Sequence, residues 1–251
     1  MATLVLDDIE LQLPPTVDEL VTEDGEPLES EWHRAEINLL VDSLRQHWRE
    51  QSDFYAGGNM FVYYGVEQAR RRDYRGPDFF VVLNVDGSYP RKAWVIWEEE
   101  GRYPDVIVEL LSPSTANADL TTKKSLYERV FRTGDYYCYN PDTRQLLGWT
   151  LAGGQYQALA PNERGWLWCG QLGLWLGAWE GEYLETGDIW LRFFDQNGNL
   201  VLTLEEAADQ RAEAESREAE VARQCAERAE TELERLRAKL RELGVNPDES
   251  A

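Results

Sequence analysis

The chain has 251 residues, 43% of them hydrophobic, which is enough for one good-sized core with length left over for an appendage. A formal charge of −22 argues against a broad basic face for gripping phosphates, and Cys138, Cys169 and Cys225, far apart and without a CxxC pair, argue against a disulfide framework or a zinc site. No stretch reaches the apolar length of a bilayer span, and Met1 to Leu13 lacks the basic start and apolar run of a secretory signal, so the expectation is a soluble, cytoplasmic protein with no membrane contact.

In chain order, Ser30 followed by 31–51 reads as a capped amphipathic helix, with Ile37, Leu40, Val41, Leu44 and Trp48 at helical spacing to cover one face of a sheet. Short β-type runs follow: 54–64 around a Gly57-Gly58 break, then 79–85, 93–97 and 105–111. The runs 79–85 and 105–111 are largely apolar, as strands covered on both faces are. Pro113 stops the last of them, a helix is expected over 119–132, and Gly134 is expected to end it ahead of the strand 135–139. Strand, helix, strand in so little sequence predicts a βαβ crossover within a mixed sheet.

From 145 to 203 short β runs are split by turn signals at Gly153-Gly154, 162–165 and Gln196-Asn197-Gly198, the pattern of an antiparallel meander. Six of the ten tryptophans (Trp149, Trp166, Trp168, Trp175, Trp179, Trp190) fall here, and packing between strands explains them better than a sugar- or base-stacking platform. The tail 205–243 is rich in Ala, Glu and Arg. Ala208, Ala212, Ala219, Ala222, Ala226, Ala229, Leu233, Leu236, Leu240 and Leu243 keep a 3,4 alternation broken once at Glu215, a heptad pattern that points to a homo-oligomer through this helix, with a lone charged helix as the alternative because alanine makes a weak seam in its first half.

Three residues stand out chemically. Asp78 follows Gly76-Pro77 and enters an apolar strand, and Glu109 lies deep within another; a carboxylate in either place needs a partner to offset its desolvation. Two carboxylates from neighbouring strands can hold Mg²⁺ or Mn²⁺ through oxygen, leaving positions for water and a phosphate. Taking about 100° per residue from Leu120, the apolar positions Leu120, Leu126, Tyr127, Val130 and Phe131 define a face centred near about 320°, with Lys123 near its middle at about 300° and Lys124 about 80° away. Lys123 is therefore the lysine expected to point at the sheet, where it can polarise a phosphate or form a buried salt bridge. Arg70, Arg71, Arg72, Arg75, Arg91 and Lys92 form the one basic concentration near these residues, read equally well as a phosphate contact or as a solvated loop.

Gly76-Pro77-Asp78, then 108–115 (Val-Glu-Leu-Leu-Ser-Pro-Ser-Thr), then Asp119-x3-Lys123-x3-Tyr127, then 136–141 (Tyr-Tyr-Cys-Tyr-Asn-Pro), resemble the Uma-type "putative restriction endonuclease" family, formerly a domain of unknown function, within the PD-(D/E)XK nuclease superfamily. The resemblance covers about 24–141 well and runs less specifically through the tryptophan-rich segment. It implies an α/β fold with a restriction-endonuclease-like core and a mixed central sheet flanked by helices; the turn and heptad patterns add to it an antiparallel β extension over 142–204 and a coiled-coil tail over 205–243, and a disordered end is expected at 244–251. It also implies a Mg²⁺-dependent endonuclease acting on DNA, with Asp78 and Glu109 as metal ligands (Mg²⁺ or Mn²⁺) and Lys123 as the catalytic lysine. The superfamily's usual lysine position, two residues after the glutamate, is Leu111 here. Superfamily members can draw an acidic ligand from their first helix, which adds Glu36 and Glu29 as candidates; His33 on that helix and Tyr127, one turn beyond Lys123, are softer ones. Ser112, Ser114 and Thr115 are expected to cap the next helix and Asp119 to cap the helix bearing Lys123. The alternative function is an inactive nuclease-like core serving as an interaction or assembly protein through its coiled-coil tail.

Overall fold

The structure, a computed structural model, describes residues 3–6, 9–22, 30–70 and 75–243; Glu29, Arg71, Arg72 and the expected end at 244–251 lie outside them. The chain divides into two compact units, Met1–Thr203 and Leu204–Ala251.

In the first unit, strands β1 (Thr3–Leu6) and β2 (Ile9–Gln12) pair as a hairpin, and a 3-10 turn, Val17–Glu19, follows. Helix α1 (Glu31–His47) starts where Ser30 Oγ accepts the His33 N–H at 3.2 Å, as expected for an N-cap serine. Strands β3 (Phe54–Gly57) and β4 (Val62–Tyr63), the short helix α2 (Val66–Arg70), and strands β5 (Phe79–Leu83), β6 (Trp94–Val95) and β7 (Val106–Leu110) come next. Helix α3, over 116–131, crosses to β8 (Asp135–Asn140), which leads into β9 (Gln145–Ala152) and β10 (Gln155–Ala158). Strands β11 (Leu167–Cys169), β12 (Leu174–Tyr183) and β13 (Thr186–Phe194) complete the unit.

The central sheet has six strands in the order β10-β9-β8-β7-β5-β3, antiparallel except for β7 and β8, which run parallel on either side of α3. That pair is the predicted βαβ crossover, and the sheet is mixed. Because side chains alternate across a strand, each central strand serves two cores. Phe79, Val81, Val106, Val108, Leu110, Tyr137 and Tyr139 face α1 and the three-stranded sheet β11-β12-β13. Phe80, Val82, Ile107, Tyr136 and Cys138 face α3 and the small parallel pair β4-β6. Double coverage is why 79–85 and 105–111 read as continuous apolar runs.

Three expectations need correction. The single meander over 145–203 is split: β9 and β10 extend the central sheet, while β11 to β13 form a separate antiparallel sheet beneath it. Its tryptophans are packing residues, with Trp190 fully buried, Trp166 stacked on Phe194 and Trp149 stacked on Tyr136. Helix α3 ends at Arg132, as its spacing predicts, but it is the left-handed backbone of Arg132 itself (φ 58°), not Gly134, that closes the last turn. Finally, α3 begins at Ala116, three residues before Asp119, so Asp119 is inside the helix and does not cap it.

The second unit is helix α4, Leu204–Glu242, 39 residues long, with no buried residue.

Candidate functional site

Strand β5 opens immediately after Asp78, and its register with β7 pairs Phe79 with Val108 in antiparallel sense. The next step of that ladder sets Asp78 beside Glu109. The loop before Asp78 is held by Asn59, whose backbone N–H reaches the carbonyls of Pro77 and Asp78, each at 3.1 Å. Gly58 is required there: a Cβ at that position would stand 2.2 Å from the Asp78 carbonyl oxygen. Asp78 Oδ2 accepts the Leu110 backbone N–H at 2.7 Å, which ties the end of β5 to the end of β7.

Glu109 is on the α3 side of β7, fully buried among apolar neighbours. Tyr127 donates its hydroxyl to Glu109 Oε1 at 2.8 Å, and Lys123 Nζ reaches Oε2 at 3.1 Å. Lys123 also contacts Asp119 Oδ1 at 2.7 Å, and Asp119 is 1% exposed. Lys124, one residue on, is turned away over the Trp149 ring. Asp119, Lys123 and Tyr127 are spaced by four, and α3 is π-helical over Asp119–Lys123 and again over Tyr127–Phe131. Turns wider than the roughly 3.6 residues of an α-helix bring residues four apart more nearly into line, which lets all three side chains reach one strand. The same shift in register leaves Val130 exposed, although α-helical spacing assigns it to the apolar face.

The electrostatics follow from burial. Desolvation pushes the Glu109 carboxyl well above the usual carboxylate range; Lys123 opposes that rise and Asp78 adds to it. Burial also raises Asp78, against the Leu110 N–H and Lys123, and its carboxyl is within hydrogen-bonding reach of Glu109. Burial alone would lower Lys123, but Glu109, Asp119 and Asp78 together outweigh it and hold the amine as an ammonium ion. Burial and the Glu109 charge keep Tyr127 protonated.

Asp78, Glu109, Lys123 and Tyr127 thus meet at one place, with Asp119 as a fifth member that sequence reasoning missed. Its spacing was the available signal, since residues at i and i+4 share a helix face. Glu36 is elsewhere: it is fully buried on α1, and its Oε2 accepts the Leu191 N–H of β13 at 3.0 Å. His33 bonds Ser30 Oγ through Nδ1 and lines a separate cleft of about 530 Å³ with Ser112 and Arg144. Ser112, Ser114 and Thr115 bond one another at the start of α3, where Ser112 Oγ accepts the Thr115 N–H at 3.2 Å. The basic concentration is already engaged where it is described. Arg91 pairs with Glu99 at 2.5 and 3.0 Å, and Lys92 pairs with Asp18 at 2.8 Å.

The donor set suits a hard cation. Two adjoining carboxyls, both raised by burial, gain most from a positive charge between them, and Asp119 Oδ2 is a buried oxygen with no hydrogen-bond partner among the described residues. Among those residues no three acidic, histidine or cysteine groups form a complete metal cage. Mg²⁺ does not require one, because it keeps several waters and binds through one or two carboxylates plus substrate phosphate.

Residues 17–181 match the model of the Uma2 family, described as "Putative restriction endonuclease". No curated protein matches the chain. A solved structure of a "putative nuclease belonging to DUF820" from Anabaena variabilis is similar at 14% identity and a TM-score of 0.43, covering 68% of this chain and 83% of that one. The family match spans well over half of the sequence and includes Asp78, Glu109, Asp119, Lys123 and Tyr127; the chain belongs to the Uma2 family.

Proposed function

We propose that the chain is a metal-dependent endonuclease that hydrolyses DNA phosphodiester bonds, with Asp78 and Glu109 holding Mg²⁺ or Mn²⁺ and Lys123 acting on the scissile phosphate. The observation that carries this reading is the meeting of the fully buried Glu109 carboxyl with the half-buried Asp78 carboxyl and Lys123 ammonium at the start of β5 and the end of β7, in a chain of this family. A bound divalent cation supplies an attacking water of lowered pKa and charge stabilisation at the phosphate. Lys123, held cationic, serves as a point charge for a phosphate oxygen and not as a base. Asp119 steers Lys123 from one turn away, and Tyr127 fixes the rotation of the Glu109 carboxylate.

Purified protein is expected to nick plasmid in Mg²⁺ or Mn²⁺ and not in EDTA. Asp78→Ala and Lys123→Ala are each expected to lower the rate by at least about a hundredfold while leaving the circular dichroism spectrum unchanged. Nicking by Asp78→Ala at the parental rate would overturn the assignment. A second reading, an inactive core that serves as an interaction module, is favoured by the engagement of Arg91 and Lys92 in ion pairs. Metal-dependent nicking that needs Lys123 decides against it.

A further inference from the structure

We propose that α4 pairs with α4 of a second copy of this chain as a parallel, in-register, two-stranded coiled coil. A 39-residue helix is about 58 Å long at 1.5 Å per residue, and none of its residues is buried. Its apolar side chains remain open to solvent near its end: Leu233 is 49% exposed, Leu236 52% and Leu240 38%. They recur at alternating spacings of three and four, which places Leu233 and Leu240 at a positions and Leu236 and Leu243 at d positions of a heptad. The e and g positions beside them are mostly charged, so the apolar seam is narrow, as two helices close it.

The direction follows from what each arrangement sets face to face. In parallel register, each leucine meets its own copy, giving four leucine layers at one end. Across the seam Glu218 at g meets Arg223 at e of the partner helix, and Glu232 meets Arg237, twice each by symmetry, with no like-charge pair among the g-to-e contacts. In a fully overlapped antiparallel pair, Leu233 would face Glu215, Leu243 would face Glu205, and the other two leucines would face Ala208 and Ala212. The flanks would then set Arg211 against Lys239, Glu218 against Glu232, and Arg223 against its own copy, like-charge contacts that outnumber the one opposite-charge pairing, Asp209 with Arg237. The cost of the parallel form is two layers in which a glutamate meets its own copy, Glu205 at an a position and Glu215 at a d position, where charged side chains mark the register. Both chains leave a parallel coil at the same end. Resting on the nuclease reading above, that tethers two nuclease-like units to the same end of one coil.

The test needs no activity, so its failure is distinct from failure of the nuclease reading. Cys138 and Cys169 are buried and Cys225 is exposed, so full-length Cys225→Ser protein carries no exposed cysteine among the described residues. In that background Ala229→Cys, at a d position, is expected to form a disulfide-linked dimer on mild oxidation. Light scattering of the parent is expected to give twice the chain mass of 29.0 kDa, and Leu236→Glu with Leu240→Glu is expected to return it to one chain mass with the unit 1 melting transition retained. A parental mass of one or three chains overturns the proposal. So does cross-linking that requires Ala219→Cys on one chain and Ala229→Cys on the other, the antiparallel pairing.

Discussion

Glu36 and Glu109 are both fully buried carboxyls, and their partners separate them: among the described residues Glu36 accepts only the Leu191 backbone N–H, whereas Glu109 meets Lys123 and the Tyr127 hydroxyl. Burial raises Glu36 from 4.5 to about 8, against the Leu191 N–H and the Arg192 charge, and its Oε1 has no hydrogen-bond partner among the described residues. A folded-state pKa above the unfolded one means that the folded chain holds a proton the unfolded chain has released. The stability contributed by that proton is fully present below about pH 4.5 and is lost as pH rises toward about 8. At about 1.4 kcal/mol per unit, Glu36 alone accounts for a loss on the order of 5 kcal/mol across that window. Asp78 and Glu109 act in the same direction, because burial raises both. The metal-free protein is therefore expected to melt at a higher temperature at pH 5.5 than at pH 8.5. Glu36→Gln should lift the value at pH 8.5 by at least about 5 °C and leave pH 5 nearly unchanged, whereas Mn²⁺ should stabilise parent and variant alike at pH 8.5. A variant with the parental pH trend would show that Glu36 is not the titrating group. Differential scanning calorimetry across pH measures all of this.

At the scale of elements, the site depends on a close approach that no side chain can share. Gly58 follows β3, and its Cα packs on the Asp78 carbonyl and the Ile37 side chain, 2.2 and 2.4 Å from where a Cβ would stand. Gly58→Ala must push the start of β5 away from α1, which carries Asp78 out of line with Glu109. It is expected to cost about 1–3 kcal/mol in stability and to lower nicking well beyond that loss, read as a fall in rate at a temperature where the variant is still folded. Parental activity in a folded Gly58→Ala protein would show that the approach is not needed. In the sequence, Gly57-Gly58 registered only as a break between strands. The β5 and β7 strands, the crossover and the inward direction of Lys123 were legible, because two-sided burial and helical spacing act on contiguous residues. The division of 145–203 between two sheets was not, since local alternation fixes a strand's faces but not its partner. Asp119 was misread for a related reason. An aspartate near a helix start is ordinarily a cap, and only the position of Thr115 and the π-helical turns show it buried against Lys123.

For the whole molecule the question is how a chain of charge −22 holds a polyanion. A protein that neutralises six to ten phosphates with Lys and Arg loses about 10³ to 10⁵ in affinity between roughly 50 and 200 mM salt, because it gives up that many released counterions. Here the described arginine and lysine nearest the site in sequence after Asp78, Arg91 and Lys92, are paired with Glu99 and Asp18, and Lys123 is shared between Glu109 and Asp119. With these three cations already engaged, the expectation on the nuclease reading is that the contact with DNA comes mainly through metal at Asp78 and Glu109. Binding is expected to require a divalent cation, with Ca²⁺ able to support retention of a labelled duplex. Its affinity should fall by less than about tenfold over the same salt range. Fluorescence anisotropy with and without EDTA, repeated on Glu109→Gln, gives the slope. A steep slope that survives EDTA would move the binding surface away from the two carboxylates and onto arginines such as those at 70–75, and would separate DNA binding from the metal pair altogether.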